Sequence, residues 1–153
     1  MDWKPGLILR IKDYRFEDDN TTRDKYAIVL FVSDQEAYLI HSLTTSRNNP
    51  GVTSFRYGCS VHRAIPYFLF PANYQIGDQA FYFDKDTFIF FSNNVRKEAI
   101  SKFELLSQKF FGVTALGSLY PQELSRLIKC ALKSRLLQEN IEKDLTMYKD
   151  SLR

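Results

Sequence analysis

The spacing of apolar positions changes character once along this chain, near Ser92. Before that point it favours short strands. "GLILRIK" (Gly6 to Lys12) reads as a first strand, and "DYRFEDDNTTRDK" after it as a long polar loop. "YAIVLFVS" is apolar on both parities, which predicts a strand buried on both faces. Asp34 and Gln35 make a short turn, and "EAYLIHSL" pairs back as a hairpin. "TTSRNNPGVTSFRYGCS" reads as loop or as a weak strand. "AIPYFLF" is a further strand, with Pro66 pointing to an edge or a bulge. "QAFYFDKDTFIFF" predicts a last tight hairpin turning at Asp84 to Asp86.

Beyond Ser92 the period becomes helical. Val95, Ala99, Phe103, Leu106 and Phe110 fall on one stripe. "FFGVTALGSLY" breaks it, and Pro121 opens a second helix, where a missing N–H costs nothing. Leu124, Leu127, Ile128, Ala131, Leu132, Leu136, Ile141 and Leu145 carry that helix to about residue 149. Its basic residues, Arg126, Lys129, Lys133 and Arg135, read as a solvated face. Short, closely spaced strands followed by helices predict a mainly β fold with C-terminal helices (α+β). We expect a small curled antiparallel barrel over about 3–92 and a helical part over about 94–150. No repeat or linker is evident, so residues 1–153 read as a single domain.

Composition narrows the class. With 44% apolar and 25% charged residues the chain reads as soluble and globular. "MDWKPG" has neither a basic n-region nor an apolar h-region, and no apolar run is long enough to cross a bilayer. Cys59 and Cys130 lie far apart and match no metal or redox spacing, so they read as reduced thiols in a cytoplasmic protein. The net charge of +3 decides little, but its distribution does more. From Ala37 to Gly77 there is no Asp or Glu, while His41, Arg47, Arg56, His62 and Arg63 fall inside that window. Such a window favours an anion-attracting surface.

Familiar catalytic constellations are missing. There is no Gly-rich phosphate loop, no G-x-S-x-G and no cluster with metal-ligand spacing, so no metal or cofactor is expected. His41 shares a parity with Ala37, Leu39 and Leu43, which reads as a packed, hydrogen-bonded imidazole, with acid–base work as the second reading. The chemistry-bearing feature is an order of elements. A strand follows Gly6, a polar loop comes next, Lys25 stands at the mouth of the buried strand, and the returning strand ends in Thr44, Thr45 and Ser46.

That order resembles the MazF/PemK family of toxin endoribonucleases, which are small SH3-like barrels. The resemblance covers roughly residues 3 to 50 in motif, and element order to about 135. Where the family usually has Arg followed by Pro, this chain has Lys25 followed by Tyr26. A lysine is a point charge without the bidentate fork of arginine. The resemblance implies metal-independent cleavage of single-stranded RNA by its own 2′-OH. Lys25, Thr44 and Thr45 would be the catalytic residues, facing the phosphate, and His41 a possible acid or base. Arg23, Arg47 and Arg56 would grip neighbouring phosphates, and Phe55 and Tyr57 would stack on bases. Asp13 to Asp24 would form a lid, although Glu17, Asp18 and Asp19 there are ill suited to an anion. A cognate antitoxin and a homodimer complete the expectation, the latter also motivated by the apolar stripe of the last helix. The alternative from another class is a non-catalytic SH3-like binding module for a protein or nucleic-acid partner, which the Lys25–Tyr26 departure favours.

Overall fold

A computed structural model describes residues 2–15, 22–33, 35–46, 51–52, 54–92, 94–110 and 112–152, with side chains omitted at 13–15, 22–23 and 106–110. The chain forms a mainly β fold with C-terminal helices. In order it runs β1 (Leu7–Arg15), β2 (Thr22–Val32), β3 (Tyr38–Leu43), β4 (Gly58–His62), β5 (Ile65–Phe70), β6 (Thr87–Phe90) and β7 (Val95–Ala99). Then follow α1 (Ile100–Phe110), β8 (Val113–Ser118), α2 (Pro121–Ala131) and α3 (Glu139–Ser151).

Two antiparallel sheets result, a five-stranded one in the order β7-β3-β2-β1-β8 and a three-stranded one in the order β4-β5-β6. As its two-sided apolar pattern requires, β2 is central, and Ala27, Ile28, Val29 and Leu30 are completely buried. The sheets meet where Thr45 and Phe88 exchange both main-chain hydrogen bonds, each 2.8 Å long. From the Ser42–Val95 pair to the Thr45–Phe88 pair, β3 advances three residues while the opposite chain covers seven. Between the two pairs the opposite chain changes partner, from β5 along β6 to β3 along β7, and Phe91 is buried in the core there. This stretch is tied down by Phe91 N–H donating to the Pro66 carbonyl and Ser134 Oγ donating to the Phe91 carbonyl.

This junction sorts side chains into two faces. The inner faces of both sheets share one core, with Ile8, Ile28, Leu30 and Ile40 from the first and Phe68, Phe70 and Ile89 from the second. Leu124, Leu127 and Ile128 of α2 and Ile141 and Leu145 of α3 complete it. The outer face of the first sheet carries Leu9, Ile11, Ala27, Val29 and Leu43, with Phe103 of α1 packed on it. The outer face of the second carries Tyr67, Leu69 and Phe88 under Val52. Among the described residues the pairing does not close into a barrel.

The structure departs from the sequence expectations where a tertiary partner overrides local pattern. Asp13 to Arg15 and Thr22 to Asp24 continue β1 and β2 instead of forming a loop, with Tyr14 opposite Arg23. Glu17, Asp18 and Asp19 of the expected lid lie outside the described residues. Pro66 sits in the central strand β5, not at an edge. Its carbonyl faces β6 just beyond the last register pair, Tyr67–Phe90, so its missing N–H falls where the ladder has ended. The expected hairpin around Asp84 to Asp86 is absent, because β6 pairs with β5 and the Phe83 carbonyl accepts from Asn73. Val95 to Ala99 extends along β3 as β7 before helix α1 begins, and Val113 to Ser118 pairs with β1 as β8. The long last helix is two helices, since the buried Ser134 reaches Phe91 and caps the Leu136 N–H, which breaks the run.

Cys59 and Cys130 correct another expectation. They form a disulfide between β4 and α2, with Cα atoms 5.6 Å apart across a sequence separation of 71 residues. Docking of α2 on β4 and β5 creates this proximity, which sequence spacing cannot reveal. Closing such a loop restricts the unfolded chain by about 4 kcal/mol in the chain-entropy treatment. Under oxidising conditions alkylation should therefore detect no free thiol. Reductant should lower the urea midpoint measurably, and the Cys59→Ala variant should show the lower midpoint without reductant. An unchanged midpoint in both cases would contradict the staple.

Candidate nucleic-acid interface

Strand alternation decides which hairpin residues meet. The β2–β3 register runs to Ala27 opposite Leu43. One step on, the Thr44 N–H donates to the Tyr26 carbonyl at 3.0 Å, so the pairing continues. Carrying it one residue further sets Thr45 opposite Lys25. The Thr45 N–H and C=O point away from β2, toward Phe88, which makes Lys25–Thr45 a non-hydrogen-bonded pair. Side chains of such pairs share a face, with Cβ atoms about 5 Å apart. That face is the outer one, because Lys25 is also in register with Ile11, and Thr45 with Phe88.

Thr44 goes the other way. Opposite Tyr26, it belongs to the inner face, and it is 4% exposed. Its Oγ1 donates to the Tyr26 carbonyl at 3.2 Å, the same oxygen its N–H uses. The hydroxyl run "TTS" is thus divided: Thr44 braces the hairpin from inside, Thr45 stands beside Lys25 on the outside, and Ser46 is exposed.

The outer face continues into aromatic surface. Phe88, bonded to Thr45, packs edge-on against Phe55 with ring centroids 5.9 Å apart, and Phe55 remains 54% exposed. Arg56 beside it is exposed. Tyr57 is not part of this surface. Its ring packs on Phe68 of the inner core and under the Arg126 guanidinium, 4.6 Å from the centroid. Its hydroxyl donates to the buried Glu123 carboxylate. Burial and that bond push the phenol above its ordinary range. The Tyr57–Glu123–Arg126 cluster therefore anchors the start of α2. Arg23 has only its main chain described, and Arg47 lies outside the described residues.

His41 shares the outer face but not the location. It is opposite Val29, four residues along β2 from Lys25, or roughly 13 Å. α1 covers it: the ring is 4% exposed and meets Phe103 edge-on at 5.2 Å. Nε2 is 3.9 Å from Glu98 Oε1, and neither ring nitrogen has a hydrogen-bond partner among the described residues. The expected hydrogen-bonded imidazole is thus packed, with Glu98 near but, among the described residues, no hydrogen bond.

Among the described residues no three His, Cys, Asp or Glu side chains converge as a metal site would require. No helix of the described residues is long and apolar enough to cross a membrane. No family model, curated protein or solved structure matches the chain.

The partners of Lys25 were readable in principle. Alternation along "DKYAIVL" and "IHSLTTS" separates Thr44 from Thr45, once the hairpin register is known. The Phe88 contact and the Glu123 anchor carry no local signal, since both depend on strands and helices far apart in sequence.

Burial pushes the His41 imidazole down to about 4, against the opposing pull of Glu98. Between that value and the ordinary 6.5, the unfolded chain binds the proton and the folded chain does not, so stability falls as pH drops through this window. The cost at the acid end is on the order of 3 kcal/mol. Urea midpoints measured from pH 7 to pH 4 should fall for the unmutated chain and fall less for His41→Leu. Equal slopes for both proteins would contradict this placement.

Proposed function

We propose that the chain is a toxin-type endoribonuclease resembling the MazF/PemK family, acting on single-stranded RNA at the outer face around Lys25 and Thr45. The observation that carries this reading is the hairpin register, which sets a cation and a hydroxyl side by side next to exposed aromatic surface. In the reaction the 2′-oxygen of the RNA bonds to phosphorus as its proton passes to solvent water, and the bond from phosphorus to the 5′-oxygen breaks as that oxygen takes a proton from solvent water. Lys25 stabilises negative charge building on the non-bridging oxygens, and the Thr45 hydroxyl donates to one of them. Thr44 acts from the inner face as a positioning residue, holding the strand carrying Tyr26. Phe55 offers a stacking surface and Arg56 a cation for flanking nucleotides. No general base is assigned.

The two sheets sharing one core fit an opened SH3-like barrel, and this finer description belongs to the same proposal. So do a cognate antitoxin, a homodimer and a cytoplasmic location. The buried stripe of α2 and α3 serves the chain's own core, so the homodimer rests on the resemblance and on the exposed Leu136 and Met147. A binding module is the second reading. It is favoured by one observation, the engagement of the Thr44 hydroxyl by the Tyr26 carbonyl.

The purified chain should cut single-stranded RNA, and its expression without a partner should arrest growth. Lys25→Ala and Thr45→Val should each lower cleavage by about a hundredfold or more with unchanged circular dichroism. Thr44→Val should lower stability by about 1 kcal/mol and cleavage by less than Thr45→Val does. Lys25→Arg should retain cleavage if Lys25 acts as a charge. Full cleavage by Lys25→Ala and Thr45→Val would remove this site. Binding of RNA without cleavage by the folded, unmutated chain would favour the binding module.

A further inference from the structure

On the outer side of the second sheet lies an open groove of about 410 Å3, lined by Gly51, His62, Arg63, Ile65, Phe90 and Ser92. One wall is the half-buried ring of Phe90, stacked on Phe88 at a 17° interplanar angle and 5.6 Å from the Tyr67 centroid. Another wall is the β4–β5 hairpin. His62 pairs with Ile65, leaving Arg63 and Ala64 as a two-residue turn with φ of 51° and 66°. Positive φ at both central positions is the twist that matches a tight antiparallel hairpin, and it holds Arg63 at the exposed tip.

The chemistry of the lining is selective. Among the described residues it holds a guanidinium, an imidazole and a hydroxyl, with no carboxylate. The surrounding sequence contributes no acid from Ala37 to Gly77. That composition disfavours a cation and suits a phosphate. The apolar Phe90 and Ile65 surface suits a planar ring, which a bare inorganic anion would leave uncovered. Position adds a second argument. Phe90 is two residues, roughly 7 Å, along β6 from Phe88, and Phe88 is bonded to Thr45, so the groove lies on the same face as the Lys25–Thr45 pair, across the strand and further along it.

We infer that this groove binds one nucleotide of the RNA strand adjoining the scissile phosphate, with its base against Phe90 and Ile65 and its phosphate at Arg63 and His62. The inference rests on the ribonuclease reading for what the nucleotide adjoins. Nucleotide binding itself can be measured without cleavage.

The test is titration of the 15N-labelled chain with adenosine 5′-monophosphate, followed by amide chemical shifts, with adenosine and inorganic phosphate as separate arms. The monophosphate should shift Gly51, Arg63, Ile65, Phe90 and Ser92, and each fragment alone should bind about tenfold more weakly or worse. Arg63→Asn removes the charge and keeps a residue that tolerates the left-handed backbone. It should weaken the monophosphate about tenfold while the remaining spectrum stays native. Lys25→Ala should end RNA cleavage and leave the groove shifts in place. Groove shifts in a chain that cuts no RNA would uphold nucleotide binding and sink the ribonuclease reading instead. Shifts elsewhere, equal binding of the monophosphate by Arg63→Asn, or phosphate alone binding as well as the nucleotide would overturn the inference.

Discussion

The reciprocal pair of hydrogen bonds between Thr45 and Phe88 is the constraint on which the arrangement depends. It is the point where the chain just beyond β3 bridges from the five-stranded sheet to β6 of the three-stranded one. Because paired residues share a face, this one contact fixes which side of each sheet becomes interior. Ile28, Ile40, Phe68 and Ile89 are thereby turned toward a common core, and α2 and α3 fill its remaining side. The net energy of two main-chain bonds is modest, about 1 kcal/mol each. Their larger effect is to set a register, and every apolar residue on two sheets depends on that register.

The same contact sends neighbouring hydroxyls to opposite faces. Thr44 and Thr45 are neighbours in sequence but serve opposite faces. The inner hydroxyl is enclosed and engaged by a carbonyl, which strengthens the hairpin. The outer one stands beside Lys25 on a surface that continues through Phe88 and Phe55. In the proposed reaction, donors held at the end of two paired strands would be better positioned than donors on a loop. His41 illustrates the converse. It lies on the same face, yet α1 covers it, and burial keeps it neutral at ordinary pH.

Elements governed by local pattern were legible in the sequence. The first strand, the two-sided β2, its hairpin partner and the proline-led start of α2 all follow from periodicity and punctuation. Elements governed by a distant partner were not. Val95 to Ala99 has helical spacing but fills the free edge of β3, and Val113 to Ser118 pairs with β1. The last helix breaks because Ser134 reaches Phe91 after β6. Cys59 meets Cys130 only once α2 docks on β4. Of the candidate site, Lys25 and the hydroxyl run were legible as residue types. Which hydroxyl faces the cation required the register, and the role of Tyr57 required the unforeseen Glu123.

The proposed cleavage at the outer face around Lys25 and Thr45, with the RNA's own 2′-hydroxyl as nucleophile, leaves a chemical signature on its products. Mass analysis of fragments from a defined single-stranded RNA, incubated with the purified chain in the presence of EDTA, addresses it directly. Attack by the 2′-hydroxyl should give fragments ending in a 2′,3′-cyclic phosphate, each followed by one beginning with a 5′-hydroxyl. Intact RNA, or fragments carrying a 5′-phosphate and a 3′-hydroxyl, would contradict it.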